Sequence, residues 1–233
     1  MIPLIVCPIA RAENAERVAH LWAQQTRVSE LLYAPAKGIS ITGLTCRPTA
    51  TIGEARNVGL EIARMNGHSC VIFWDDDNYY GPSYVEDTID AFTRGAPAVV
   101  SRGIGFVRHE DGLWWYDDAK TPFYPGHCTA VDPQRAAIFP AASFAEDVEW
   151  SRRMAGQHAV RLGPWGLVYD RVNPATHAYN AEREVFLRQH GPARFLGQRP
   201  DMIVDIPFET TAHLTCASDA DIFAAMRRAR PCY

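Results

Sequence analysis

A chain of 233 residues with 47% hydrophobic side chains can bury one sizeable core, and a single domain spanning 1–233 is the expectation. Its formal net charge of −4 excludes a uniformly basic surface that would coat nucleic acid, and no stretch approaches the roughly 18 apolar residues that span a bilayer. The charge is unevenly shared: residues 1–150 carry 12 Lys and Arg against 19 Asp and Glu, while residues 151–233 carry 11 against 8. The last third is therefore weakly basic, either as a face for an anionic partner or as a solvated surface. Six cysteines, at 7, 46, 70, 128, 216 and 232, show no Cys-x-x-Cys spacing, which argues against zinc and redox motifs. The start, Met1 to Pro8, is apolar but short, without a basic leader and with two prolines. It reads as a strand and not as a signal peptide, and a soluble, cytoplasmic protein is expected.

In chain order, Leu4 to Ile9 is a strand and residues 12–26 a helix with Ala15, Val18 and Trp22 facing inward. Glu30 to Tyr33 is a second strand, ended by Pro35 and Gly38, and Ile39 to Thr42 a short third. Thr51-Ile-Gly-Glu54 has the form of a capping box, opening a helix whose stripe is Val58, Ile62 and Met65 and which stops at Asn66-Gly67. After the strand Cys70 to Trp74, Ser83-Tyr-Val-Glu86 reads as a second capping box, with Val85, Ile89 and Phe92 as the inward stripe. Alternating strands and helices to this point imply a parallel sheet with right-handed crossovers.

Beyond it, Ala98 to Ser101 is a strand, and 104–116 alternates like a hairpin turning at His109-Glu-Asp-Gly112. Residues 121–143 read as an irregular crossing over the sheet edge. Ser143-Phe-Ala-Glu146 reads as a third capping box for a helix reaching about Ala155. Short strands at Ala159 to Leu162 and Gly166 to Tyr169 follow, then helices from Asn180 to His190 and from Ser218 to Arg230.

The chain is organised around Cys70-Val-Ile-Phe-Trp74 followed by Asp75-Asp76-Asp77-Asn78. An unbroken apolar run of strand length is a strand buried on both faces. Three carboxylates then stand where it runs out, which is where open α/β sheets bind ligands. Adjacent carboxylates repel unless a cation neutralises them, and Mg²⁺ or Mn²⁺, which take oxygen ligands and bridge to phosphates, suit the position. The plainer reading is a polar turn, since Asn78, Gly81 and Pro82 follow.

Gly53-Glu-Ala-Arg-Asn-Val-Gly59, then Phe73-Trp-Asp-Asp-Asp77, then Glu146-Asp147-Val-Glu-Trp150, taken in that order and spacing, resemble the family-2 glycosyltransferases of the A-type (GT-A) fold. The resemblance runs from residue 4 to about 180. It implies one α/β domain: a Rossmann-like, mostly parallel sheet with helices on both faces and a smaller mixed β region on the acceptor side. Residues 1–100 would be the nucleotide-sugar half, 101–205 the acceptor half and 206–233 a helical tail. It implies transfer of a sugar from a nucleotide-diphosphate donor, a UDP-sugar first among them, laid across the strand ends at Pro8 and Ile9. Asp75 would line the donor, Asp76 would line it or turn away, and Asp77, with Asp75, would hold the metal.

By the same resemblance Asp147 is the general base of a direct, inverting displacement. Glu146 and Asp147 are equally accounted for as a capping-box acid and a first-turn acid of a helix. His177 is a candidate third ligand of the metal or diphosphate, or simply a polar loop residue. Arg56 reaches donor phosphates, pairs with a strand-end aspartate, or lies on the helix surface. His127, Trp165, Trp114 and Trp115 fall where the acceptor pocket is shaped, although core packing accounts for any one aromatic.

Two departures bear on specificity. No acid follows Glu30-Leu-Leu-Tyr-Ala-Pro35 to read the base, which leaves uridine in question, and the Gln-x-x-Arg-Trp signature of processive synthases is absent, which favours transfer of one sugar. The acceptor is left open among a glycan, a metabolite, a protein and a hydroxylated DNA base. A nucleotidyltransferase also uses strand-end carboxylates, but Pro8-Ile-Ala-Arg-Ala12 lacks the glycine-rich loop such enzymes carry. A non-catalytic nucleotide-sugar-binding module is the third reading.

Overall fold

The structure, a computed structural model, describes residues 1–41, 48–102, 106–109, 112–115, 124–143, 145–162 and 167–170. Strand β1 (Leu4–Ile9) alternates its side chains between two cores: Ile5, Cys7 and Ile9 enter one, Leu4 and Val6 the other. Helix α1 (Asn14–Ala23) leads to β2 (Glu30–Pro35), which pairs parallel with β1 from Leu4 opposite Glu30 onward. Helix α2 (Ile52–Met65) then returns the chain to β3 (Val71–Phe73), parallel to β1 on its other side. Cys70 to Trp74 is fully buried, as an uninterrupted apolar run at the centre of a covered sheet requires.

After the two-residue strand β4 (Tyr79–Tyr80), helix α3 (Tyr84–Gly95) leads to β5 (Val99–Arg102). The hairpin β6 (Phe106–His109) and β7 (Gly112–Trp115) follows, then β8 (Thr129–Val131), α4 (Glu146–Arg153), β9 (Ala159–Leu162) and β10 (Leu167–Asp170). The main sheet has the order β2-β1-β3-β8-β5-β9, and β4-β10-β6-β7 form a second, mixed sheet. Val18 and Leu21 of α1 and Val85, Ile89 and Phe92 of α3 pack with Ile5, Cys7 and Ile9. Leu60 and Ala63 of α2, Trp150 of α4 and Met154 just after it pack with Leu4 and Val6 on the opposite face. Helices therefore cover both faces of a mostly parallel sheet.

Several sequence expectations differ from the structure, each for a local reason. Residues 121–143 were expected to cross the sheet edge irregularly, yet β8 lies inside the sheet, antiparallel to both β3 and β5. Three residues in a Pro- and Gly-rich stretch are too few to show strand periodicity. Ile39 to Ile41 form no strand. Of the three capping boxes only Thr51–Glu54 forms: Glu54 N donates to Thr51 Oγ1 at 3.1 Å, and Thr51 N donates to Glu54 Oε2 at 3.2 Å. Ser83 Oγ donates instead to Asp87 Oδ2, and Glu86 accepts from Thr26. Ser143 Oγ accepts from Ile52 N.

Helix α1 turns Leu21 inward beside Ala15 and Val18, leaving Trp22 at the surface with its indole N–H on Ser29 Oγ. Helix α2 buries Gly53, Ala55, Gly59, Leu60 and Ala63, and Met65 is exposed. The small residues face inward because the helix lies against the sheet and the neighbouring loop at short range. A Cβ on Gly59 would land on the Val6 side chain, and one on Gly53 on the Pro140 carbonyl oxygen. Gly53→Ala and Gly59→Ala are each expected to cost about 1–3 kcal/mol of stability by overpacking, read as a lower urea midpoint. The same change at exposed Gly67, where nothing lies within 4 Å of the built Cβ but φ is +72°, tests backbone strain alone.

Cys7, Cys70 and Cys128 are buried. Burial pushes their thiols up, Cys128 to about 12, so they act as small apolar side chains. Among the described residues no helix is long and apolar enough to cross a membrane. The expected helices at 180–190 and 218–230 lie outside the described residues.

Candidate active site

The aspartates begin where β3 ends, beyond Phe73 and Trp74, at the carboxyl edge of the parallel strands. They are not equivalent. Asp76 turns back toward β1: its Oδ2 accepts from the Ala10 amide at 2.9 Å and from Asn14 Nδ2 at 3.1 Å. Burial pushes its carboxyl up to about 6, against those two hydrogen bonds and with the repulsion of Asp77 and Asp75 added. Asp76 thus ties the β3 turn to the β1–α1 connection, and Asp75 and Asp77, both half-buried, are left at the strand end.

This makes a pH prediction for metal-free buffer. The folded carboxyl holds its proton to about 6 and the unfolded one to 3.8, so the native state binds more protons between those values. Stability from this group is fully present below about pH 4 and is lost as pH rises toward about 6, a change of about 3 kcal/mol. Asp76→Asn keeps an oxygen for Ala10 and Asn14 and removes the buried charge. The variant is expected to be more stable than the parent at pH 7 by about 1–3 kcal/mol, with the pH 4–6 slope flattened in urea titrations.

Asp75 faces the other way. Its Oδ1 accepts from Arg56 Nη2 at 2.9 Å, and the same guanidinium reaches Glu146 Oε1 through Nη1. Arg56 sits on α2 and is 2% exposed, whereas the Asp75 side chain is 28% exposed. Burial opposes the guanidinium's charge, but Asp75, Glu146 and Asp147 together hold its pKa above the ordinary value. Glu146 is pushed up by burial and by Asp147 and Asp75, with Arg56 opposing. One buried cation therefore gathers carboxylates from β3's end and from the start of α4.

Glu146 reaches Arg56 because it does not cap its helix. Helix α4 starts at Glu146 after Ala145, whose φ is 55° and which makes no side-chain cap. A left-handed non-glycine residue costs of order 1 kcal/mol, and here it aims the Glu-Asp pair into the fold. Asp147, half-buried in the first turn, accepts from the Gly126 amide at 3.4 Å. Farther along α4, Trp150 stacks on Phe139 at 4.4 Å and meets Phe73 edge-on at 6.2 Å, which anchors the helix to the core.

The antiparallel insertion of β8 brings Gly126 and His127 to the same point. Ala130 lies opposite Ile72, so the turn before β8 lies beside the residues after β3. Tyr80 fastens it: its hydroxyl accepts from Asp75 N at 2.7 Å and donates to the His127 carbonyl at 3.0 Å. The Tyr80 ring stacks on Trp74 at 4.1 Å. A Cβ on Gly126 would collide with the Arg56 guanidinium, so any other residue there would displace that side chain.

The residues singled out in sequence separate as follows. Arg56, Asp75, Glu146, Asp147 and the backbone of His127 come together, and the His127 side chain is buried. Asp76 is drawn aside and Asp77 stands at the strand end. Pro8 is half-buried at the end of β1, while the Ile9 side chain lies in the core, leaving its backbone as the part a ligand can meet. Trp165 and His177 lie outside the described residues, and Trp114 and Trp115 are placed only as backbone of β7. Asn14, Tyr80 and Gly126 were not singled out. Each acts on a partner distant in the chain, and nothing local marks it. Among the described residues no group of three or more His, Cys, Asp and Glu forms a cage for a metal ion.

The fold these elements build is that of the GT-A glycosyltransferases. Solved structures of S. aureus TarS share it. TarS 1–349 in complex with UDP superposes with a TM-score of 0.59 at 13% identity, covering 97% of this chain and 90% of that one. The complex of the same segment with UDP-GlcNAc gives 0.60 at 12% identity with equal coverage. Against the longer TarS chain the TM-score is 0.57 at 12% identity, and this chain spans 55% of its length. No model of a known protein family matches the chain, and no curated protein matches it in sequence.

Proposed function

We propose that the chain is a metal-dependent glycosyltransferase that moves one sugar from a nucleoside-diphosphate sugar, a UDP-sugar first among them, to an acceptor hydroxyl. The observation that carries this reading is the convergence on Arg56 of a strand-end aspartate, Asp75, and the Glu146-Asp147 pair, at the sheet edge where α/β folds bind ligands. The UDP and UDP-GlcNAc bound by TarS support the choice of donor class.

In this reading the donor lies over the ends of β1 and β3, along Pro8, the Ile9 backbone and the Asp75 side. Asp147 takes the proton of the acceptor hydroxyl as its oxygen bonds to the sugar's anomeric carbon. The bond from that carbon to the β-phosphate oxygen breaks on the far side, and its electron pair leaves with the nucleoside diphosphate. Attack and departure on opposite faces invert the anomeric centre. Asp75 and Asp77 offer an all-oxygen donor set and would hold Mg²⁺ or Mn²⁺. Such an ion, when bound, stabilises the charge that builds on the leaving diphosphate. His177 is the proposed third contact, and His127, Glu146 and Trp165 the proposed acceptor side.

The test is thermal stability against a panel of nucleoside diphosphates, nucleoside triphosphates and nucleotide sugars, each with and without Mn²⁺. Ligands that bind the native state raise its melting temperature. A shift requiring both Mn²⁺ and one nucleotide sugar is expected. A shift with metal and a nucleoside triphosphate but with no nucleotide sugar would replace the reading with a nucleotidyltransferase. Binding without turnover of donor under any condition would indicate a non-catalytic module. For a DNA acceptor, binding that weakens steeply with salt is expected.

A further inference from the structure

We infer that Arg56 is the positioning residue of this site, a buried guanidinium that locks the donor-side turn to helix α4 and thereby holds Asp147 on the Gly126 amide. The inference rests on the glycosyltransferase reading for its kinetic consequences, but its geometry stands apart from that reading.

Four elements meet at this one side chain. Arg56 comes from α2, Asp75 from the end of β3, Glu146 from the start of α4, and Gly126 from the turn before β8. At 2% exposure, with one Nη on Asp75 and the other on Glu146, its two terminal nitrogens are committed to protein carboxylates. A planar fork suits this bridging, because two carboxylates in different directions fix both its position and its plane. The loop accepts the arrangement by having glycine at 126, against which the guanidinium packs.

Asp147 follows from this arrangement. It is the next residue after Glu146, in the first turn of α4, and its carboxylate accepts from Gly126 N at 3.4 Å. Both sides of that contact depend on Arg56: Glu146 sets the helix start, and the guanidinium supports the loop that carries the amide. Ala145 at φ 55° leaves α4 without a side-chain cap of its own, and the Arg56–Glu146 ion pair ties its first residue to α2. Tyr80 ties the same loop to Asp75 N from the opposite side. Shifting a reacting group by about 1 Å can cost on the order of 100-fold in rate, so a lock on Asp147 acts on turnover more than on donor binding.

The experiment uses the full chain with Arg56→Lys and Glu146→Gln, each alone and combined with Asp147→Asn. Lysine keeps the charge but cannot bridge two carboxylates, and glutamine keeps the shape but not the ion pair. The first readout is amide hydrogen exchange without ligand. Exchange at Gly126 is expected to be at least about tenfold faster in both single variants, since each loosens the Asp147 acceptor, while amides of β1 and β3 stay as protected as in the parent. Unchanged exchange at Gly126 would overturn the inference whatever the protein's activity.

The second readout is kinetic, with a nucleotide sugar as donor and Mn²⁺ present. A fall in kcat of about 10- to 100-fold is expected, with donor KM within about twofold. In the Asp147→Asn background neither change should lower kcat further, because both act through Asp147. Donor KM rising in step with the loss of kcat would make Arg56 a donor ligand, and multiplying losses in the double variants would mean it acts independently of Asp147. Either result overturns the inference. A parent protein that neither binds nor turns over nucleotide sugars would defeat the functional reading instead, and the Gly126 exchange would still decide the lock.

Discussion

Asp147→Asn is expected to cut transfer by about 100- to 10,000-fold while leaving donor binding intact. The side chain keeps its size, and its amide oxygen can still accept from Gly126 N, the contact Asp147 makes at 3.4 Å. What it loses is the capacity to take a proton from the acceptor hydroxyl. General-base catalysis contributes about 100- to 10,000-fold, so kcat should fall by that factor, with the melting-temperature rise produced by donor and Mn²⁺ preserved. Asp77→Ala should do the reverse. Asp76 is held by Ala10 and Asn14, and Asp75 shares an oxygen with Arg56. Asp77 is the proposed metal ligand, and its loss should erase the metal-dependent part of the shift. Equal loss of donor binding in both variants would make Asp147 a donor-site or structural residue.

Arg56→Ala is expected to be the most destabilising single change in the site. It removes the cation between Asp75 and Glu146 and opens a void against Gly126. Breaking a buried ion pair by deleting one partner costs about 3–5 kcal/mol, because the remaining charge is left buried and unpaired. Asp75 is 28% exposed and partly screened by water, while Glu146 is buried and its carboxyl is already pushed up. The expected loss therefore lies near the low end, about 3 kcal/mol, as a lower urea midpoint at pH 7. Glu146 is then expected to take up a proton, so the variant should recover part of its stability as pH falls. A loss below about 1 kcal/mol, the range of an exposed pair, would mean that water reaches the cluster and that Arg56 locks nothing.

What could be read from the chain follows the range over which each signal acts. β1, the buried run at Cys70 to Trp74, the Val85-Ile89-Phe92 face and the Thr51–Glu54 cap depend on residues a few positions apart, and each formed as expected. The hairpin turning at His109 to Gly112 did too. Where tertiary packing decides, local pattern misled. Gly59 must lie against Val6, so α2 turns its small face inward and leaves Met65 outside. Ser143 and Glu146 have capping-box spacing, but Glu146 finds Arg56, 90 residues earlier, and the cap is not made. The strand β8 spans three residues between β3 and β5 and exists only because its neighbours do.

The site divides in the same way. The carboxylates were legible because three at the end of an apolar strand are unusual on local grounds, and the Glu-Asp pair because it recurs in the resemblance. Their unequal roles were not. Asp76 is set apart by partners 66 and 62 residues away, at Ala10 and Asn14. Gly126 matters for what lies against it, which no sequence pattern states.

The most direct test of the central claim is to incubate the protein with UDP-sugars and diamagnetic Mg²⁺ and follow ³¹P and ¹H spectra, with water as the default acceptor. The account predicts slow release of intact UDP with free sugar of inverted anomeric configuration, abolished by Asp147→Asn and by chelation of the metal. Cleavage between the two phosphorus atoms, giving UMP and a sugar phosphate, or release of UDP that persists unchanged in Asp147→Asn, would contradict it.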